Sequence, residues 1–171
     1  MEIKIGDISL RKAKSSDKVF ITELYKLPEL KYYKKYIDFE NLETILSNNK
    51  IYFNNDNHFI LECENKIIAL LSLSSYDIKN KTIILNYVLI YNEQDNDTLC
   101  LLLKEMFKKI FSSDNFNRIE MKVLSSSKEV ISICDKASMI TESVMREKIF
   151  LNNEFVDLIT YGILLNEFLE V

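Results

Sequence analysis

Glycine and proline are nearly missing from this chain of 171 residues: Gly6, Gly162 and Pro28 are all there are. Average usage would supply about 7% glycine, roughly 12 residues in a chain this long. A phosphate-cradling P-loop, a dinucleotide fingerprint and a nucleophile elbow each need clustered glycines, so none can be written here. Collagen repeats, Gly/Ser linkers and Pro-rich segments fall to the same shortage. Histidine is present only as His58, and the three cysteines, Cys63, Cys100 and Cys134, are widely separated and odd in number. They offer no zinc spacing, so no metal is expected and the thiols read as reduced and cytoplasmic. The longest apolar run, Ile67–Leu73, is far short of the roughly 20 residues of a membrane span. The opening residues lack the hydrophobic stretch of a signal peptide. A net charge of −4 gives no global attraction to double-stranded nucleic acid or to an anionic membrane.

What is present is a core. With 47% hydrophobic and 11% aromatic residues, disorder is excluded, and the size suits one domain spanning residues 1–171. Asp7–Lys12 alternates like a short strand, and Ser15-Ser16-Asp17 supplies a helix-start signal. A helix is predicted over Lys18–Leu27, ended by Pro28, and a second from Asp38 through Leu46, followed by an Asn-rich loop over Asn48–Asn57. His58–Glu64 and Lys66–Tyr76 form a hairpin about Glu64-Asn65, and Lys81–Tyr91 is a third β-branched run. Thr98–Phe111 is apolar on one helical face. Asn117–Leu124 is a strand, Ser127 to about Ala137 a helix, and Met139–Leu151 with Phe155–Leu165 a hairpin about Asn152-Asn153. The order predicts a mixed α/β (α+β) fold: a mostly antiparallel central sheet with helices on both faces and one parallel crossover between Lys81 and Leu124.

That order, with several short motifs, resembles the GNAT acetyltransferases, in particular the branch holding the ribosomal-protein alanine acetyltransferases. Leu10-Arg11 with Ser16-Asp17, Leu27–Tyr32, Phe59–Leu73, Asn86-Tyr87, Asn117-Arg118-Ile119, Met145-Arg146-Glu147, Val156-Asp157 and Tyr161–Leu164 carry the resemblance over nearly the whole chain. Ala69, Asn86 and Ser138 stand where the family has glycine. The resemblance implies acetyl-CoA as cofactor and a peptide or small-molecule primary amine as acceptor, in a monomer or homodimer. It places Val88, Leu89 and Ile90 along the cofactor, with the Leu89 backbone polarising the thioester carbonyl. It also places Gln94, Asp95, Asn96, Asp97, Thr98 and Leu99 on the pyrophosphate loop, and Ser127 at a further cofactor position.

Two of those loop positions differ from the family in kind. Asp97 and Leu99 replace small residues, and Asp95 adds a second carboxylate beside a dianionic ligand. The same residues suit a helix N-terminus, where acids satisfy the dipole. The alternative to an enzyme is therefore a GNAT-fold binding or interaction module that has lost normal CoA binding. Cys134 falls where the family has a tyrosine acid, and reads either as a proton donor or as a small core residue. No glutamate base stands on the third run, which reads Ile83-Ile84-Leu85. His58, after the Asn-rich loop, is expected at the surface, and Glu62 and Glu64 on a solvated hairpin face. Tyr32, Tyr33 and Tyr36, interleaved with lysines, are the acceptor-site candidates together with Tyr87; single-stranded nucleic acid or simple inward packing would suit the same segment.

Overall fold

The computed structural model describes residues 2–24, 26, 57–89, 96–113 and 116–170, with residues 87–89 described by their backbone. The strands are β1 (Glu2–Ile5), β2 (Ile8–Lys12), β3 (Asn57–Cys63), β4 (Lys66–Asp77), β5 (Thr82–Leu89), β6 (Arg118–Leu124), β7 (Ile140–Leu151) and β8 (Glu154–Leu164). The described helices are α1 (Lys18–Leu24), α2 (Asn96–Ser112), α3 (Lys128–Lys136) and α4 (Leu165–Leu169), with a 3-10 turn over Ser15–Asp17. One eight-stranded sheet runs in the order β1-β2-β3-β4-β5-β6-β8-β7. Its pairings are antiparallel except β5 with β6. The parallel pair joins through α2, as the change of sequence period at Thr98 predicts.

Two elements go beyond the sequence reading. The N-terminal alternation begins at Glu2, so β1 and β2 form a hairpin about Gly6, whose φ of 57° is the left-handed turn that glycine allows. The last residues close as α4, where Glu167 accepts the Leu164 N–H at 2.9 Å. The predicted helix over 38–46, the Asn-rich loop before Asn57 and the Lys–Tyr segment fall outside the described residues.

Turn chemistry sets the register. Glu64-Asn65 and Asn152-Asn153 all have positive φ, the pattern of a two-residue type I′ hairpin turn. One face of the sheet carries Leu10, Phe59, Leu61, Leu71, Leu73, Ile83, Leu85, Ile119 and Met121, all buried in a single cluster with α2 and α3. Helix α2 contributes Leu99, Leu102, Leu103, Met106, Phe107 and Ile110, the i, i+3, i+4, i+7 stripe of a helix lying on a sheet. Removing any one of the large side chains costs about 2–5 kcal/mol.

Helix α3 ends in a Schellman motif: the Ser138 N–H donates to Asp135 O at 3.0 Å and the Met139 N–H to Cys134 O at 3.1 Å. The motif needs a left-handed residue, and Ser138 takes it at φ 63°. Ser138→Gly is therefore expected to stabilise the fold by about 1 kcal/mol, read as a higher urea midpoint with unchanged slope.

Gly162 serves a different purpose. It faces Glu120 of β6 and Ile140 of β7 in register. A Cβ there would collide with the Glu142 carboxylate. That carboxylate lies flat on the strand and receives both terminal nitrogens of Arg118, whose Nε donates to Glu120 at 2.8 Å. Hydrogen bonding from Arg118 to Glu142 raises the guanidinium pKa above its ordinary value. Gly162→Ala should push Glu142 aside and cost about 1 kcal/mol, the scale of a part-exposed pair. In Glu142→Ala the same substitution should cost less, a coupling that a double-mutant cycle measures.

Candidate functional site

The sheet opens where its one parallel pair parts. β5 and β6 stay in register from Thr82↔Arg118 to Leu85↔Met121. β5 then continues against β4, from Asn86↔Ser72 to Leu89↔Ala69. β6 continues against β8, from Lys122↔Thr160 to Leu124↔Leu158. Each strand is thus satisfied on its outer side, and a wedge opens between Asn86–Leu89 and Lys122–Leu124. Strand backbones alternate their polar groups from side to side, so every second N–H of that β5 segment faces the wedge.

Both parallel strands end at the same edge of the sheet, and α2 and α3 each start just after one of them. A helix N-terminus that follows a parallel strand is the usual anion-binding end of an α/β unit, although at α3 the Ser127 and Lys128 N–H groups already donate to Leu124 O at 2.9 Å and Ser126 O at 3.1 Å. Ser127 is the N-cap residue of α3 and follows directly from β6, though its hydroxyl makes no capping hydrogen bond. The Ser125–Asp157 contacts tie this turn to β8, with Ser125 N donating to Asp157 O at 3.0 Å.

On α2, Asn96 opens the helix and Asp97 lies in its first turn. The Asp97 carboxylate is largely exposed and accepts from Lys136 Nζ at 2.5 Å, joining the start of α2 to the end of α3. The Asn96 Oδ1 is buried without a hydrogen-bond partner among the described residues. Leu99 is 1% exposed, so its side chain belongs to the core and only its backbone faces the helix end. Ile90, Gln94 and Asp95 lie outside the described residues, as do Tyr32, Tyr33 and Tyr36. Tyr87, Val88 and Leu89 are placed in β5 by their backbone.

Cys134 is fully buried on the inner face of α3. Burial, with Asp135 and Cys100 nearby, pushes its thiol up to about 12. A thiol held that high suits a core residue more than a proton donor at neutral pH.

The sequence reading also needs correction at β3. His58 is not at the surface: it is 0% exposed, both ring nitrogens lack hydrogen-bond partners among the described residues, and burial lowers its pKa to about 4. Strand alternation turns it inward, beside Ser72 of β4. Glu62 is not solvated either. It is half-buried and accepts from Arg11 Nε at 3.1 Å. Arg11 also clamps Asp17 through both terminal nitrogens, at 2.8 and 3.2 Å, and the Lys14 N–H donates to the same carboxylate at 2.7 Å. Burial opposes ionisation of Asp17, but these hydrogen bonds outweigh it and hold its pKa below the ordinary range.

A parallel pair that parts within an otherwise antiparallel sheet, two helix N-termini at the mouth and this element order together decide the architecture. The chain has the GNAT acetyltransferase fold. RimL, a ribosomal-protein α-N-acetyltransferase solved with coenzyme A, superposes with a TM-score of 0.74 at 16% identity, covering 98% of this chain and 99% of that one. The spermidine N-acetyltransferase of Vibrio cholerae, solved with CoA and spermine, gives 0.71 at 19% identity over 95% of this chain and 98% of that one. A dodecameric structure of the same Vibrio cholerae enzyme gives 0.71 at 19% identity, over 95% and 96%, an assembly larger than the monomer or homodimer expected here. Neither a protein-family model nor a curated protein sequence matches the chain. Among the described residues no helix is long and apolar enough to cross a membrane, and no group of His, Cys, Asp and Glu side chains is placed to hold a metal.

Lys136 and the polar side chains Ser72, Ser74 and Asn86 were not read as site residues from the sequence. The last three had a signal: each is a polar residue at an inward period-two position of an otherwise apolar strand.

Proposed function

We propose that the protein is an N-acetyltransferase that moves the acetyl group of acetyl-CoA onto a primary amine of a peptide or small molecule. The observation that carries this reading is the wedge beyond Leu85↔Met121, bounded by backbone donors and helix N-termini. Such a wedge suits an elongated thioester: pantetheine would extend β5 as a strand does, and the pyrophosphate would meet the N-terminus of α2. Asn96, Asp97, Thr98 and Ser127, with Gln94 and Asp95, would line the phosphate end, and Val88, Leu89 and Ile90 the pantetheine. A backbone N–H at Leu89 polarises the carbonyl as negative charge develops on its oxygen. The amine nitrogen would attack the carbonyl carbon, the carbon–sulfur bond would break, and the proton shed by the nitrogen would end on the departing sulfur, giving the amide and free thiol. A free thiol has a pKa near about 8.5, so the departing sulfur needs no strong acid. Tyr32, Tyr33, Tyr36 and Tyr87 complete the acceptor side. This chemistry belongs to the cytoplasm, where acetyl-CoA and reduced thiols coexist. Light scattering decides between monomer, homodimer and a larger ring.

A second reading, a non-catalytic binding module, draws support from Asp97, a carboxylate in the first turn of the helix that would meet the pyrophosphate. One experiment separates the two. Thermal unfolding with and without acetyl-CoA reports binding, and amine-dependent release of free thiol reports transfer. Binding without thiol release across peptide and polyamine acceptors, or no binding, sinks the enzyme reading.

A further inference from the structure

On the sheet face turned away from α2 and α3, a polar row crosses three strands. His58 of β3 faces Ser72 of β4 in register, and Ser72 faces Asn86 of β5. All three are no more than 2% exposed. The Asn86 Nδ2 donates to Ser74 Oγ at 2.9 Å and lies 3.4 Å from Ser72 Oγ, which commits its donors and leaves Oδ1 unpartnered. Both nitrogens of His58 are likewise without partners among the described residues. Each buried, unmade hydrogen bond costs about 1–3 kcal/mol, and an apolar trio would pack between Ile60, Leu70 and Ile84 without that cost. The position of the row is as telling as its chemistry. Asn86 is the first β5 residue beyond the last β5–β6 pair, so the row begins at the throat of the wedge.

We propose that His58 and Asn86, with Ser72 and Ser74 holding Asn86 in orientation, form the amine-receiving end of the acceptor site. The proposal rests on the acetyltransferase reading for its purpose. The chemistry selects the ligand class. Asn86 Oδ1 is an acceptor without a donor, and the neutral imidazole supplies a second acceptor and one donor. Among the described residues, no carboxylate stands in the row to neutralise a full positive charge. The complementary ligand brings N–H donors and enters as the neutral amine, the form that attacks a thioester. Burial of the row, with His58, Ser72 and Asn86 no more than 2% exposed, would shield that nucleophile from protonation and suit acyl transfer rather than hydrolysis.

Because His58 is the chain's one histidine, its imidazole nitrogens give unambiguous long-range ¹H–¹⁵N signals. The probe is spermidine, added without acetyl-CoA, and the control is choline, a cation with no N–H donors. Spermidine should move the acceptor-nitrogen signal of His58, and choline should leave it in place. Asn86→Leu should weaken spermidine binding roughly tenfold, about one lost hydrogen bond, while the melting shift given by acetyl-CoA stays as in the wild type. His58→Gln, which keeps an acceptor, should retain affinity that His58→Leu loses, and this second pair serves should Asn86→Leu fail to fold. An imidazole signal unmoved by saturating spermidine overturns the proposal. So does a long-lived water contact at His58 that persists in the spermidine-loaded protein, since the row would then hold an internal water. Loss of the acetyl-CoA shift in the wild type, with the spermidine response intact, would sink the acetyltransferase reading and leave the amine site standing.

Discussion

Acetyl-CoA at about 1 mM is expected to stabilise the fold by about 4 kcal/mol for an affinity near 1 μM, a rise of roughly 8–16 °C in melting temperature for a chain of this size. The term that sets the affinity is the charge at the start of α2. Asp97 places a carboxylate in the first turn, and Lys136 is drawn onto it at 2.5 Å. A pyrophosphate arriving at that helix end meets the repulsion of Asp97 and finds Lys136 already engaged. Asp97→Gly removes the repulsion, removes the ion pair that draws Lys136 onto it and restores the small residue that close backbone approach requires. Acetyl-CoA binding should then tighten about tenfold, some 1.4 kcal/mol. The unliganded protein should move the other way, by about 0.3–1 kcal/mol, since an acid in the first turn favours the helix dipole. Opposite signs in the free and loaded protein are the signature. Weaker binding in Asp97→Gly would show that Asp97 does not face the phosphate end, and Lys136→Ala should weaken binding in either case.

Much of this architecture was legible because it rests on local chemistry. The turns at Glu64-Asn65 and Asn152-Asn153 name themselves through residues that accept positive φ, and the change from period two to the α2 stripe marks the crossover. β1 was harder to see. Glu2–Ile5 is only four residues long and becomes a strand through its pairing with β2 about Gly6. The segment proposed to meet a pyrophosphate drew notice in the sequence through its departures from small residues, but the partner that tempers Asp97 did not. Lys136 lies thirty-nine positions away and meets Asp97 only because α3 returns across α2. His58 shows the limit most clearly. A single histidine after a polar loop reads as a surface residue, whereas burial is decided by strands on both sides of it. Glu62 follows the same logic, drawn in by Arg11 of β2.

The fold should lose about 3 kcal/mol between pH 6.5 and pH 4 through His58 alone. In the unfolded chain the imidazole titrates near about 6.5. In the fold, burial lowers its pKa to about 4. Across that interval the unfolded state holds a proton that the folded state refuses, so stability rises with pH at about 1.4 kcal/mol per unit and levels off above 6.5. The full contribution is present at neutral pH and is lost as pH falls through the folded value. Asp17 works in the same direction but lower. Its depressed pKa lies below the ordinary carboxylate value of 3.8, so its share disappears beneath the His58 window. Urea unfolding at successive pH values from 7 to 4 measures the slope, and His58→Leu isolates it. The variant should lose that part of the slope, becoming more acid-tolerant relative to its own neutral-pH stability. An unchanged slope in His58→Leu would mean that the buried imidazole is already charged, or paired, in the folded protein.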